Sequence, residues 1–452
     1  MPQASPGEVS RDVVVVGGGM TGLAAADRLV SLGLSVELIE AAADVGGLAR
    51  SITVGAEEVE AYYHHIFPQD RELRDLIERL GFHDRLEWHR APTAVLEGGR
   101  LYPFDSPIDL LRFAPLPLTA RIRFGLGSAV AVLRSRGAGL DGMRVGETGP
   151  RWFGRKGYAV LWQPLLDGKF GPYAPQVALA WLLGRIKQRA NARKRGTGDR
   201  LGYLQGGVGR LARRYAQDLS DRGLTVSLGA AVDSLTLEGG IWRVRTAGRE
   251  IQARAVLACL SGEQLAALVN LPEEYGRAVS GIPYRGVVCA LLELDRPLGR
   301  YYWTNLIQPT DLACLAIIEH TNFIPAERYG GRHLVYLTHY AEVGGPVWGA
   351  DADQIVAAAE PALRAINPDF DRTWIRAAHL HRDRWAQPVP LAAGSMPGLP
   401  LETGLPGLFH ASLAHIYPDD RGVSLALRLG YRAAEDAGKW LSGPDPTAAV
   451  RS

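Results

Sequence analysis

The sequence predicts an α/β fold, and three features near its start carry that prediction. They are the β-branched run Val13–Val16, a glycine-rich turn straight after it, and a helical segment leading to a second strand that ends on an acid. A continuous apolar run marks a strand covered on both faces of a parallel sheet. Gly17-Gly-Gly-Met-Thr-Gly22 follows at once, and Leu23 to Leu32 has helical spacing, with Ala24, Ala25 and Ala26 keeping one side narrow. Ser35 to Ile39 then reads as the second strand, closed by Glu40. The glycines differ in mechanical role, since Gly17 makes the tight turn, Gly19 lets backbone approach a pyrophosphate, and Gly22 lets helix and strand pack closely. Helix N–H groups, those of Met20 and Thr21 among them, point at the phosphates. Glu40 is placed to accept hydrogen bonds from ribose hydroxyls, which completes a Rossmann-like dinucleotide-binding unit.

Composition narrows the rest. The chain has 452 residues, enough for two or three domains. Hydrophobic residues at 47% and charged residues at 22% exclude a wholly disordered chain. Fifty basic against 48 acidic side chains leave a net charge of +2, without the basic excess of a nucleic-acid footprint. Cys259, Cys289 and Cys314 form no CxxC pair, so a reducing, cytoplasmic setting is expected and a structural zinc site is not. Met1 to Ser10 is polar and reads as a frayed tail rather than a secretory signal. No run reaches the roughly 18 to 20 apolar residues that cross a bilayer.

The loop after Glu40, Ala41-Ala-Ala-Asp-Val-Gly46-Gly47-Leu48-Ala-Arg50, resembles that of the FAD-binding amine oxidase superfamily. That group includes protoporphyrinogen oxidase, phytoene desaturase and UDP-galactopyranose mutase. The resemblance implies FAD, with Gly46, Gly47, Leu48 and Arg50 near its pyrophosphate, and the absence of any cysteine after Cys314 for a cysteinyl linkage of the monoamine oxidase type makes noncovalent attachment the expectation. It also implies a discontinuous FAD domain in segments 1–91, 201–274 and 401–452, a helical insertion or lid at 92–200, and a mixed-sheet substrate domain at 275–400. Gly206-Gly-Val-Gly-Arg-Leu211 opens a helix running to Asp221, with Leu201–Gln205 before it a poor buried strand, so no second dinucleotide site is expected. Val232 then falls beside the adenine, and Ala255–Leu260 is a sheet strand with Cys259 in the core. Leu110–Arg136 and Val177–Arg193 have helical spacing, the first either a buried lid helix or a basic amphipathic segment that touches a membrane.

Glu60-Ala-Tyr-Tyr63-His64-His65-Ile66-Phe67 is the densest cluster of aromatic and imidazole groups. It is similar to the flavin-facing loop of UDP-galactopyranose mutase, with Tyr63-His64 in place of a glycine-proline pair. That likeness implies His65 and Ile66 against the isoalloxazine, with His65, His64 and Tyr63 the catalytic candidates, since an imidazole there can donate, change protonation near neutral pH, or orient substrate. Asp420, Gly422, Val423 and Ser424 open the last helix, whose N-terminus points at the flavin in the superfamily; either aspartate of Asp419-Asp420 caps that helix or meets ribityl oxygens. Arg185, Tyr302, Arg384, Trp385 and Tyr417 are candidate substrate contacts, with Arg285 and Tyr301 added if the substrate carries a pyrophosphate. Amine oxidases of the monoamine type use a substrate-domain lysine, and residues 271–400 contain none, which speaks against amine oxidation of that style. His379-Leu-His381 permits a metal pair, but strand alternation explains it, so no metal is expected. Three functions follow: an FAD oxidoreductase moving hydride to or from a small or lipid-like substrate, a redox-neutral sugar-nucleotide mutase, or a flavin-binding protein without turnover. The oligomeric state is open.

Overall fold

The computed structural model describes residues 9–134, 139–193, 200–307 and 314–443. Its first strand is Val9–Val16, so Val9 and Ser10 belong to the sheet and not to a frayed tail. This strand pairs in parallel with Val36–Ile39 on one side and Arg249–Ala258 on the other. The sheet continues outward to Thr225–Ser227 at one edge and through Ile241–Thr246 to Val232–Glu238 at the other, and Leu408–His410 joins Arg249–Ala258 in parallel. Three distant stretches of sequence therefore build one sheet.

The unbroken valine run has a packing cause. Val13 and Val15 enter the cluster beneath the helices Met20–Ser31, Gly207–Asp221 and Val423–Ser442, whereas Val14 and Val16 enter the cluster on the opposite face with Trp242 and Leu265. Alternate side chains point to opposite faces, so a strand covered on both must be apolar throughout. Met20–Ser31 and Val423–Ser442 approach closely along small residues. A Cβ on Gly430 would sit 2.2 Å from the carbonyl oxygen of Thr21, whereas one on Gly22 would sit 1.9 Å from that of Gly17, on the side where the first helix meets the turn and strand.

A second sheet of seven strands has the order Ile375–Pro388, Tyr284–Leu294, His333–Ala341, Ala316–Glu319, Trp303–Leu306, Thr93–Glu97, Arg100–Pro103. The last two form a hairpin whose first strand runs parallel to Trp303–Leu306. The expected boundary at residue 92 is thus corrected: this hairpin belongs to the second sheet, and helix begins only at Pro107. Leu110–Arg136 is not one helix, because two prolines in Phe113-Ala-Pro-Leu-Pro117 separate Pro107–Arg112 from Leu118–Arg134. Arg200–Leu204 is a strand after all, but it pairs with Leu86–Arg90 and, through Gly202, with Ile66, outside the main sheet. No described helix is long and apolar enough to cross a membrane.

Candidate active site

A cavity of about 960 Å³ opens between the two sheets and the helical insertion. At one end the glycine turn meets the loop after the second strand. Gly17 holds φ +106°, and a Cβ there would lie 2.9 Å from the carbonyl oxygen of Cys259. Gly19 is different: an added Cβ would meet nothing within 4 Å, because the residue fronts open cavity. Glu40 accepts the N–H of Gly18 at 2.6 Å and that of Ala42 at 2.8 Å, which ties its carboxylate to the turn. Gly46 donates to the Gly18 carbonyl at 2.9 Å. Met20, Thr21, Gly22, Ala41, Gly47, Leu48 and Val232 line this end with Glu40. An open-faced glycine, a helix start and an acid at a strand end fit a dinucleotide's pyrophosphate and ribose.

The far end is aromatic. Tyr63 meets Trp303 edge-on with ring centroids 4.9 Å apart, and His65 packs against Phe67 at 5.0 Å. His64 holds the carbonyl of Tyr62 through Nδ1 at 2.5 Å, and Ile66 is fixed by backbone bonds with Gly202. Burial, with Arg189 and Arg185 nearby, pushes His65 down to about 3, and burial pushes His64 down to about 4. The expectation that His65 changes protonation near neutral pH is therefore corrected. It stays a neutral imidazole, able to donate from one nitrogen and accept at the other.

The N-terminus of Val423–Ser442 also reaches this end, with Arg421, Gly422 and Val423 on the cavity wall. Gly422 is its N-cap and no side chain caps it, so Asp420 does not. Asp420 is instead clasped by Lys169 Nζ at 2.8 and 2.9 Å and by Arg185 Nη1 at 2.6 Å. Burial alone would raise its carboxyl, but Lys169 and Arg185 hold it well below the usual carboxylate range. Arg421 donates to the Tyr340 hydroxyl at 2.9 Å and to the Ala386 carbonyl at 3.0 Å. Burial works against ionising Tyr340 too, yet Arg421 and Lys169 bring it below the ordinary phenol value.

Six expected contacts lie elsewhere, among them Tyr301, whose hydroxyl accepts from Arg300 at 2.9 Å. Arg50 is not on the cavity wall; it donates to the Tyr62 hydroxyl at 2.8 Å and pairs with Asp383 at 3.3 Å. Ser424 turns away to donate to Glu72 at 2.7 Å. Tyr302 stands behind His65, its hydroxyl 3.4 Å from Nδ1. Tyr417 donates to Asp141 outside the cavity, and Arg285 lies buried with Nη2 3.3 Å from the Tyr340 carbonyl. Arg384 and Trp385 do line the mouth, both held by Glu263. Cys259, expected in the core, lies one residue past its strand and borders the cavity.

Sequence reasoning missed Lys169, Tyr340 and Arg421. The search for a lysine covered the substrate segment, whereas this one comes from the insertion helix Gln163–Phe170. Two signals were present. Lys169 is one of only five lysines, and Arg421 stands between two residues already singled out.

A discontinuous Rossmann-like domain, a second sheet over its glycine loop and a cavity between them have the build of a dinucleotide-dependent enzyme. Residues 20–437 match the family described as flavin containing amine oxidoreductase, and the chain belongs to that family. It is accordingly a flavin-dependent oxidoreductase with FAD as cofactor, as the loop resemblance implies. A putrescine oxidase from Kocuria rosea is 44% identical over 88 residues, which are 20% of this chain and 18% of that protein's length. Among solved structures, a protoporphyrinogen oxidase-like protein from Exiguobacterium sp. 255-15 matches with TM-score 0.76 at 17% identity, over 97% of this chain and 100% of that one. Reduced UDP-galactopyranose mutase matches with TM-score 0.72 at 16% identity, over 98% and 99%. At such identities the likeness is one of fold.

Proposed function

We propose that the protein holds FAD noncovalently and takes hydride from a small apolar or lipid-like donor that is neutral or anionic rather than an amine. The observation that carries this is the charge at the aromatic end, where Lys169 and Arg185 surround Asp420 beside Arg421. Asp383 is paired with Arg50 and Glu263 with Arg384, while Asp70 accepts the Phe67 N–H at 2.8 Å. Asp420, Asp383 and Glu263 are paired with cations and Asp70 holds only a backbone N–H, so an alkylammonium entering beside Asp420 would meet Lys169, Arg185 and Arg421 instead of an unpaired counter-charge. An anionic or neutral group meets donors instead.

Gly17, Gly19 and the start of the helix Met20–Ser31 would hold the pyrophosphate, Glu40 the ribose, Val232 the adenine side, and Gly422 and Val423 the ring edge. FAD, when bound, accepts the hydride. The chain's own work is then positioning. Tyr63, His65 and Trp303 shape the slot for an apolar donor, neutral His65 offers one hydrogen bond, and the Lys169–Asp420–Arg185 cluster fixes polar substituents. Closing this slot to water strengthens each of those interactions.

The test is anaerobic mixing of the yellow protein with a porphyrinogen-type donor and, separately, with putrescine. Bleaching by the first and not the second is expected, and bleaching by putrescine alone overturns the reading. The convergence of Arg185 and Arg421 also favours a second reading, a sugar-nucleotide mutase. Conversion of a sugar nucleotide only after prior flavin reduction identifies it. Acid precipitation should release all the flavin as FAD; flavin left in the pellet overturns the noncovalent claim.

A further inference from the structure

Among the described residues, eleven large apolar side chains are exposed, and seven of them fall between residues 108 and 133. Leu118, Ile122, Leu126 and Val130 recur every fourth position along Leu118–Arg134, and Leu133, 84% exposed, extends the row. Ile108 and Leu111 on Pro107–Arg112 continue it. The opposite face of the long helix, Phe124, Gly127 and Ala131, is buried in the insertion. Residues four apart share one face of a helix, so this is a continuous apolar strip and not scattered leucines. Monomeric proteins rarely leave such a strip to water.

We infer that this helix pair is a docking surface for an anionic lipid bilayer, which takes the apolar row into its headgroup boundary without being spanned. The flanking charge selects the occupant. Arg112, Arg121, Arg123 and Arg134 are the charged residues of 110–134, and none is in an ion pair among the described residues. Arg121 donates to the Leu111 and Leu116 carbonyls, and Arg123 to the Arg151 carbonyl, so both guanidiniums keep their charge uncompensated. Asp109 holds the Ser106 cap and acts electrostatically on Arg112 alone of the four. Arginines beside an apolar row extend to lipid phosphates while their stems lie on the acyl boundary. A second copy of the chain fits less well, because an isologous contact pairs the patch with itself and sets these arginines against one another. The strip also backs onto the cavity. Leu118–Arg134 packs on Leu179–Arg193, which supplies Arg185 and Gln188 to the cavity wall.

The test uses the FAD-loaded chain with phosphatidylcholine vesicles, with and without phosphatidylglycerol. Sedimentation with the anionic vesicles is expected, weakened by added salt. Leu126→Gln with Leu133→Gln should lower the bound fraction at least ~10-fold with FAD content unchanged, since burial of each leucine is worth more than a tenfold partition. Arg121→Gln with Arg123→Gln should remove most of the preference for the anionic lipid. No sedimentation with either vesicle, or binding unaltered by the leucine changes, overturns the inference. So does a concentration-dependent dimer that the leucine changes abolish in a protein that ignores vesicles.

Discussion

At the scale of the residue, two buried carboxyls behave oppositely for one reason each. Asp420 is ionised because Lys169 and Arg185 outweigh the cost of burial, so its contribution to stability is present above the ordinary aspartate range and lost only as pH falls below it. Asp420→Asn leaves both cations without their counter-charge and should cost about 3–5 kcal/mol in urea unfolding, whereas Lys169→Met with Asp420→Leu should cost far less. Glu60 has no cation. It accepts the Val208 N–H at 3.1 Å and the Tyr203 hydroxyl at 3.1 Å, and burial raises it from 4.5 to about 7. Between those two values the unfolded chain gives up the proton and the folded chain keeps it, so stability falls as pH rises. Glu60→Gln should flatten that slope, which urea unfolding at pH steps across the window would read; an unchanged slope would refute the assignment.

At the scale of the element, the seam between Met20–Ser31 and Val423–Ser442 sets where the last helix starts, and therefore where Gly422 and Val423 meet the cavity. Gly430→Val should force the helices apart and cost about 1–3 kcal/mol by overpacking. It should also loosen FAD, because the helix start moves with the seam; an FAD dissociation constant equal to the native one would separate the two. The first β-α-β unit was legible from the sequence because every one of its constraints is local: turn, helix spacing and strand fall within about thirty residues. The proline break after Arg112 is local in the same way, although the helical spacing on either side of it masks the interruption. Arg50, Ser424 and Tyr417 were not legible, since a side chain's direction depends on partners such as Asp383, Glu72 and Asp141 that are far away in the chain. Lys169 stayed hidden for the same reason, its partner Asp420 being 251 residues away.

At the scale of the whole molecule, both sheets and the insertion share one cavity, so a ligand filling it bridges parts that otherwise meet along limited seams. FAD should therefore stabilise the whole fold, by about 2.7 kcal/mol at a free concentration 100 times its dissociation constant. A melting temperature that does not rise with added FAD would contradict this. The seam at Gly430 also has a consequence for synthesis. The helix Met20–Ser31 leaves the ribosome roughly 400 residues before Val423–Ser442, an interval of about 20–80 s at ordinary elongation rates. For more than half of that interval the first strand lacks its neighbour Arg249–Ala258, and to its end the alanine-faced helix lacks Val423–Ser442, having gained only Gly207–Asp221 midway. The nascent chain must keep an apolar, strand-forming segment from pairing wrongly for much of its own translation. Slower translation lengthens that exposure, and chaperone demand should rise with it.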